Sequence, residues 1–308
     1  MPELPEVETI RRQLAPFVEG RRVKALEILD PRWSRPLPPE EVVAAVVGRR
    51  VEALERRGKY LLWRLQGDVY LAQHLRMTGS VLSEPDPWPT HTRVVIRLGP
   101  PRAGSSVAGG PAGGGPASGR RGEGRLAIVD PRRFGTGELL LGRDAMDAFF
   151  AARLGLEPFD ERFTAAHLQE LTRGRTAPIK ALLLDQRRIA GVGNIYADEA
   201  LHRAGIHPLR PSGRLSPAQH SRLRESLIES LQAGIDAHGA TIDDFRHLDG
   251  AMGSFQDRFL VHLREGEPCG TCGRTIVKMV VAGRGTYVCE GCQPRPRRRP
   301  SAGDRRAG

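Results

Sequence analysis

RRVEALERRGKYLLWRLQGDVYLAQHL, residues 49–75, holds three short runs bounded by glycine: Arg49–Glu55, Lys59–Leu65 and Val69–Leu75. They are rich in β-branched residues or alternate apolar with polar, which is the pattern of hairpin-length strands. Val23–Leu29 before them, and Arg93–Leu98 and Arg125–Val129 after them, read the same way. Ahead of all of these, Val7, Ile10, Leu14 and Val18 recur at helical spacing, with Pro5 and Glu6 suited to a first turn. One helix followed by many short strands predicts a β-sandwich or barrel domain.

Working outward, Gly99–Gly124 interrupts the strands with 10 Gly and 4 Pro in 26 residues, and Val107 is its only large apolar side chain. Such a segment cannot offset its ordering entropy, so a disordered loop joining two strands is expected. From about Asp144 the pattern turns helical. Ser216 and Pro217 form an N-cap and first-position pair, and Leu223, Leu227, Ile228, Leu231 and Ile235 make an apolar stripe ending near Gly239. Ile179–Leu184 and Ile195–Leu201 flank Ala190-Gly191-Val192-Gly193-Asn194, a helix–turn–helix-like arrangement whose glycines allow close backbone approach.

The 308 residues suit two domains. The net charge of +11 and a pI near 10.3 favour a polyanionic partner. The tail Gln293–Gly308, with six Arg and one Asp, supplies +5 of that charge. It reads either as a solvated end or as an arm adding affinity without specificity. Only Lys24, Lys59, Lys180 and Lys278 stand against 43 Arg, so a retained lysine hints that an amine is needed there. No apolar run reaches the ~18–20 residues of a membrane span. The acidic start MPELPEVETIRR does not read as a signal peptide, so a cytoplasmic location is expected.

The four cysteines fall as Cys269-x2-Cys272-x16-Cys289-x2-Cys292, the spacing of a closed, structural zinc site. Between the pairs, Thr275–Val281 and Tyr287–Val288 read as strands, with Arg284 at the tip of the turn joining them. That arginine is either merely solvated or a braced phosphate contact. At the other end, an initiator Met before Pro is commonly removed. Pro2 would then carry a secondary amine with a pKa near ~8, neutral often enough to attack an aldehydic sugar carbon, with Glu3 beside it to move protons. Read alone, Pro2 is more often an accident of the start site.

MPELPEVE at the start, HLRMTGS at 74–80, DPRRFG at 130–135, GVGNIYADEAL at 191–201 and the cysteine hairpin with its RGT together resemble the formamidopyrimidine-DNA glycosylase family. The likeness runs in order over nearly all of residues 1–293. PELPE, rather than the PEGPE of the endonuclease VIII branch, favours oxidised purines. The resemblance implies an α+β fold. A catalytic β-sandwich domain with an N-terminal helix spans 1–143, a helix–two-turn–helix domain 144–262 and a zinc-finger β-hairpin 263–293, with a disordered basic tail over 294–308. It implies a bifunctional glycosylase and abasic-site lyase that flips 8-oxoguanine or a ring-opened purine out of duplex DNA.

The same resemblance implies residue roles. Pro2 is the nucleophile and Glu3 the acid/base. Lys59 holds a phosphate and serves in elimination. Met77, Arg132 and Phe134 fill the void left by the flipped base. His74, Asn194 and Arg284 pin phosphates, with Arg284 also tied to δ-elimination, and His91 and Arg175 make lesser DNA contacts. Glu6 matches a motif carboxylate but equally suits a first-turn acid answering the helix dipole. Thr241-Ile242-Asp243-Asp244-Phe245 departs from the family, which has a basic residue there, and this leaves lesion preference open. One structural zinc, damaged double-stranded DNA as partner, a monomeric state, no membrane and association with the nucleoid complete the expectations. The competing readings are an endonuclease VIII-like glycosylase for oxidised pyrimidines and a non-catalytic zinc-finger DNA-binding protein.

Overall fold

The computed structural model describes residues 1–101, 122–242 and 246–296. The expected disorder of the glycine-rich insertion and of the tail beyond 296, and the placement of Asp243, Asp244 and Phe245, lie outside the described residues. The chain folds as two compact units, 1–155 with 231–258, and 156–230 with 259–308.

In the first unit, helix α1 (Leu4–Val18) begins with proline in its first turn. Glu6 reaches back to the Glu3 N–H at 2.8 Å, as an acid at the third position does in a capping box. Val7, Ile10, Leu14 and Val18 have no exposed surface. Burial of each contributes roughly 1.5–3 kcal/mol.

The strands are β1 (Val23–Ile28), β2 (Val51–Arg57), β3 (Tyr60–Leu65), β4 (Val69–His74), β5 (Ser80–Ser83), β6 (Thr92–Leu98), β7 (Gly124–Val129) and β8 (Thr136–Leu141), with α2 (Pro39–Val46) between β1 and β2. They form two four-stranded sheets, β1-β6-β7-β5 and β2-β3-β4-β8, antiparallel throughout. This is the sandwich rather than the barrel. The sequence pattern leaves β5, β8 and α2 unassigned. Two of these are short, and β8 (TGELLL) does not alternate apolar with polar.

Strands β3 and β4 are buried on both faces. Leu61, Trp63, Leu65, Val69 and Leu71 point into the core shared with α1. Tyr60, Leu62, Tyr70 and Ala72 pack outward against Met146, Phe149 and Phe150 of α3 (Arg143–Ala151). Leu248, from the returning segment, enters the sandwich core. Its N–H donates to Gln13 Oε1 at 3.1 Å and its carbonyl accepts from the Ser83 N–H at 3.0 Å.

The second unit contains α4 (Ala165–Thr172), α5 (Ile179–Leu184) and α6 (Asn194–Arg203). Helix α7 (Pro217–Asp236) follows and carries the chain back toward the first unit's residues. A two-stranded hairpin closes the unit, β9 (Val277–Val281) with β10 (Arg284–Val288). Its turn corrects the expected position of Arg284. Ala282 and Gly283 alone make the bend, with φ of 52° and 71°, a two-residue turn that requires left-handed backbone at both places. Arg284 pairs with Val281 as the first residue of β10, beside the tip rather than on it.

Candidate active site and zinc hairpin

The start of the chain is held by helix α1. Pro2 is buried, and Glu3 and Glu6 are 2% and 1% exposed. The Glu6 carboxylate that bonds the Glu3 N–H through Oε2 also accepts from the Ala240 N–H through Oε1, at 2.8 Å. Gly239 has φ +82°, and a Cβ there would sit 2.9 Å from Glu6 Cγ. One carboxylate thus ties the residue beside Pro2 to the loop following α7, and Glu6 is more than a first-turn acid.

Lys59, 4% exposed, follows Gly58 (φ 58°) in the β2–β3 turn. That turn is fastened to α1. Arg56 bridges Glu8 at 3.1 Å and donates to the Gly58 carbonyl at 3.1 Å. Glu8 also holds Arg11 and Arg12. Burial opposes its charge, but these hydrogen bonds prevail and hold its pKa at about 2.

Tyr60 faces His74 across the β3–β4 pair, with the rings edge-on at 4.6 Å. His74 Nδ1 accepts from the Arg76 N–H at 2.9 Å. Burial first, then the charges of Arg76 and Lys59, pushes the His74 pKa down to about 3. The ring is therefore neutral, with Nε2 the protonated nitrogen, and it offers a hydrogen bond without a charge. An unfolded histidine takes up a proton below about pH 6.5, and the folded ring refuses it. Stability should be full above pH 6.5 and should fall as the pH drops towards 3, by up to about 1.4 kcal/mol per pH unit from this group. Chemical denaturation of His74→Asn at pH 7 and pH 5 should show a smaller loss than in the parent.

Two loops flank this region. Met77 is half-buried and Thr78 buried in the loop after β4, while Arg132 and Phe134 are exposed in the loop after β7. The Arg132 guanidinium lies 4.9 Å from the centre of the Phe134 ring. His91 is exposed, with φ 68°, immediately before β6. The first unit carries Pro2 and Glu3 just before α1, Lys59 just before β3, His74 at the end of β4, and Met77, His91, Arg132 and Phe134 on loops.

In the second unit, Gln186 shapes the helix–turn–helix. Its side chain donates to the Val192 carbonyl at 2.7 Å and accepts from the Gly191 N–H at 2.9 Å. Asn194, the first residue of α6, donates to the Gly285 carbonyl at 2.9 Å, so the helix start and the residue after Arg284 are joined. Beneath them Lys180 is fully buried. Its Nζ lies 2.6 Å from Asp198 Oδ1, 2.8 Å from Thr286 Oγ1 and 3.3 Å from the Gly285 carbonyl. Asp198 Oδ2 meets His262 Nδ1 at 2.9 Å. The amine is thus spent on pinning β10, a use that composition hinted at without naming. Arg284 itself is exposed, as is Arg175, whose Nε donates to the Leu171 carbonyl at 2.7 Å. Replacing Asp198 by Asn should cost about 3–5 kcal/mol, because it strands a buried ammonium. Lys180→Met with Asp198→Asn should cost less than Asp198→Asn alone, as read by denaturant titration.

The four cysteine sulfurs lie within 4.8 Å of one another and form no disulfide. Gly273 and Gln293 donate backbone N–H bonds to the Cys269 and Cys289 carbonyls, each at 2.8 Å, closing both knuckles. Four convergent thiols with no open place for substrate fit one structural zinc ion. His202 Nε2, 3.4 Å from Cys269 Sγ, is a neighbour of this group that the spacing did not reveal.

Three family models match in order: the formamidopyrimidine-DNA glycosylase N-terminal domain over residues 1–137, its H2TH domain over 154–246, and a zinc finger found in FPG and IleRS over 266–295. The formamidopyrimidine-DNA glycosylase of an Exiguobacterium strain is 40% identical over 96% of this chain and all of its own length. The crystal structure of the MutM (Fpg) protein of Thermus thermophilus superposes with a TM-score of 0.79 at 41% identity, covering 96% of this chain and all of that one. Lactococcus lactis Fpg superposes with a TM-score of 0.83 at 33% identity and the same coverage, in a complex with abasic-site DNA. It is also known bound to DNA carrying an oxidized pyrimidine. A sandwich, a helix–two-turn–helix and a zinc hairpin in this order define a DNA glycosylase of base excision repair. The chain belongs to the formamidopyrimidine-DNA glycosylase family and has the abasic-site lyase activity that is part of it.

Proposed function

We propose that this enzyme excises oxidised purines, 8-oxoguanine and formamidopyrimidines, from duplex DNA with the Pro2 amine as nucleophile. The amine nitrogen attacks C1′, the glycosidic bond breaks, and the base departs with the bonding pair and a proton relayed through Glu3. The C1′–O4′ bond then opens, O4′ keeping the bonding pair and taking up a proton, and the resulting iminium acidifies the C2′ hydrogen. Its removal expels the 3′ phosphate, a second elimination expels the 5′ phosphate, and hydrolysis returns the amine. The observation that carries this reading is the Glu6 carboxylate, which holds the buried start of α1 and the loop beyond α7 at once.

Within it Lys59 holds a phosphate and moves protons, and neutral His74 adds an uncharged donor. Asn194 and Arg284 hold the phosphates of the flipped nucleotide. Met77, Arg132 and Phe134 fill the void, and His91 and Arg175 bind the flanking backbone. Residues 1–143, 144–262 and 263–293 are the catalytic, helical and zinc-hairpin regions in this functional sense. Zinc, when bound, supplies structural closure only. The enzyme works as a monomer in the cytoplasm and meets the nucleoid through its DNA affinity. Among the described residues, no helix is long and apolar enough to cross a membrane.

The Lactococcus lactis complex with an oxidized pyrimidine favours a second reading, in which pyrimidine lesions are also substrates. A panel of single-lesion duplexes tests both. Single-turnover excision should be fastest for 8-oxoguanine and the formamidopyrimidines. Faster excision of oxidised pyrimidines would replace the first reading by the second.

A further inference from the structure

We infer that Asp130 is a positioning residue that fastens the void-filling side chains to one buried carboxylate. This rests on the reading of Met77, Arg132 and Phe134 as fillers. Asp130 is 2% exposed. Its Oδ1 accepts from the Thr78 hydroxyl at 2.5 Å and from the Arg132 N–H at 3.2 Å, and its Oδ2 accepts from the Gly135 N–H at 2.7 Å. Thr78 Oγ1 lies 3.3 Å from the same Arg132 N–H.

The backbone of Asp130 joins a third segment. Its N–H donates to the His91 carbonyl at 3.1 Å, and its carbonyl accepts from Arg93 Nε at 2.9 Å. The loop of Met77, the loop of Arg132 and Phe134, and the segment of His91 therefore meet on a single buried residue.

The chemistry of the joint explains the choice of aspartate. Oδ1 faces the Arg132 N–H and Oδ2 the Gly135 N–H, so both oxygens must accept. An asparagine would turn its NH2 towards a backbone N–H in either orientation, that of Arg132 or that of Gly135. Phe134 is 51% exposed, and a large ring held out in water gains nothing from its own burial, so its presentation depends on the loop beneath it. A wedge must enter the stack as the lesion leaves, and a displacement of about 1 Å in such a group can cost 10²-fold in rate.

The test uses full-length enzyme and a duplex with 2-aminopurine opposite the lesion, whose fluorescence follows the orphaned base. Asp130→Asn should slow the fluorescence change and lower excision from the duplex about 10- to 100-fold. Cleavage of an abasic site in a single strand, where no void forms, should fall far less. Thr78→Val should move the same readouts in the same direction, and Thr78→Ser should restore them, since the hydroxyl remains. Parental fluorescence kinetics in Asp130→Asn, where Phe134→Ala has lost them, would overturn the proposal. So would equal behaviour of Thr78→Val and Thr78→Ser, or equal loss on duplex and single strand. Parental kinetics in Phe134→Ala would instead overturn the reading of the fillers on which it rests.

Discussion

Borohydride added during turnover should leave a permanent protein–DNA cross-link, and peptide mapping should place it on Pro2 with Met1 absent. The reduction converts the iminium, the one covalent state the mechanism requires, into a stable amine. Retention of Met1, or an added N-terminal tag, turns the Pro2 nitrogen into an amide and should abolish both trapping and strand cleavage while leaving duplex affinity almost intact. Glu3→Gln should lower base excision by about 10²–10⁴-fold, the range for loss of a general acid or base. Cleavage of a preformed abasic site should suffer less, since its glycosidic bond is already broken. The Glu3 N–H that Glu6 accepts belongs to the backbone, so this substitution leaves the start of α1 anchored. A cross-link mapped to Lys59 would refute the assignment of the nucleophile and leave the family untouched.

Loss of zinc should be the second large effect. Structural zinc sites contribute on the order of 10–16 kcal/mol of apparent binding free energy in isolated peptides. Cys269, Cys289, Ile276, Tyr287 and Val261 form a small core, two of whose members belong to the metal site. Cys289→Ala, or chelation, should therefore release the hairpin. Gly285 would lose its bonds to Asn194 and Lys180, and Arg284 its fixed place at the start of β10. Duplex binding should fall below detection. All three tryptophans, Trp33, Trp63 and Trp88, lie in the first unit. Their emission should stay as in the parent, which separates loss of the hairpin from general unfolding. Parental affinity for lesion DNA in a zinc-free variant would show that the hairpin does not carry binding.

Much of this was legible in the residues themselves. The 3.6-residue spacing of Val7, Ile10, Leu14 and Val18 marked α1, and the paired Cys-x2-Cys knuckles marked the metal site, because each rests on a local pattern. Strands β3 and β4 hid their outer face: buried on both sides, they lack the alternation that reveals which surface is core, and α3 was not anticipated as the cover. The joints of the site were not legible at all. The Thr78–Asp130 bond spans 52 residues and the Glu6–Ala240 bond 234. No local propensity specifies a partner at that distance. Lys180 stood out only by rarity, and nothing in its neighbourhood in sequence points to Thr286. Arg284 was found but misplaced by a residue or two, since turn length depends on the backbone sign at Ala282 as well as at Gly283.

The first unit is discontinuous, and this bears on how the protein is made. Its sandwich is complete only when Leu248 is seated, yet 75 residues of the other unit, 156–230, are synthesised first. Elongation proceeds at roughly 5–20 residues per second. The 103 residues from 155 to 258 therefore take about 5–20 s to translate. During that interval the nascent sandwich carries an unfilled place in its core, and the Glu6 carboxylate awaits the Ala240 N–H. A ribosome stalled between these points would hold a chain that already contains Pro2, Glu3 and Lys59 but lacks the loop that shares Glu6. Glu6, beside the proposed nucleophile, lies 234 residues ahead of the Ala240 whose N–H completes its setting.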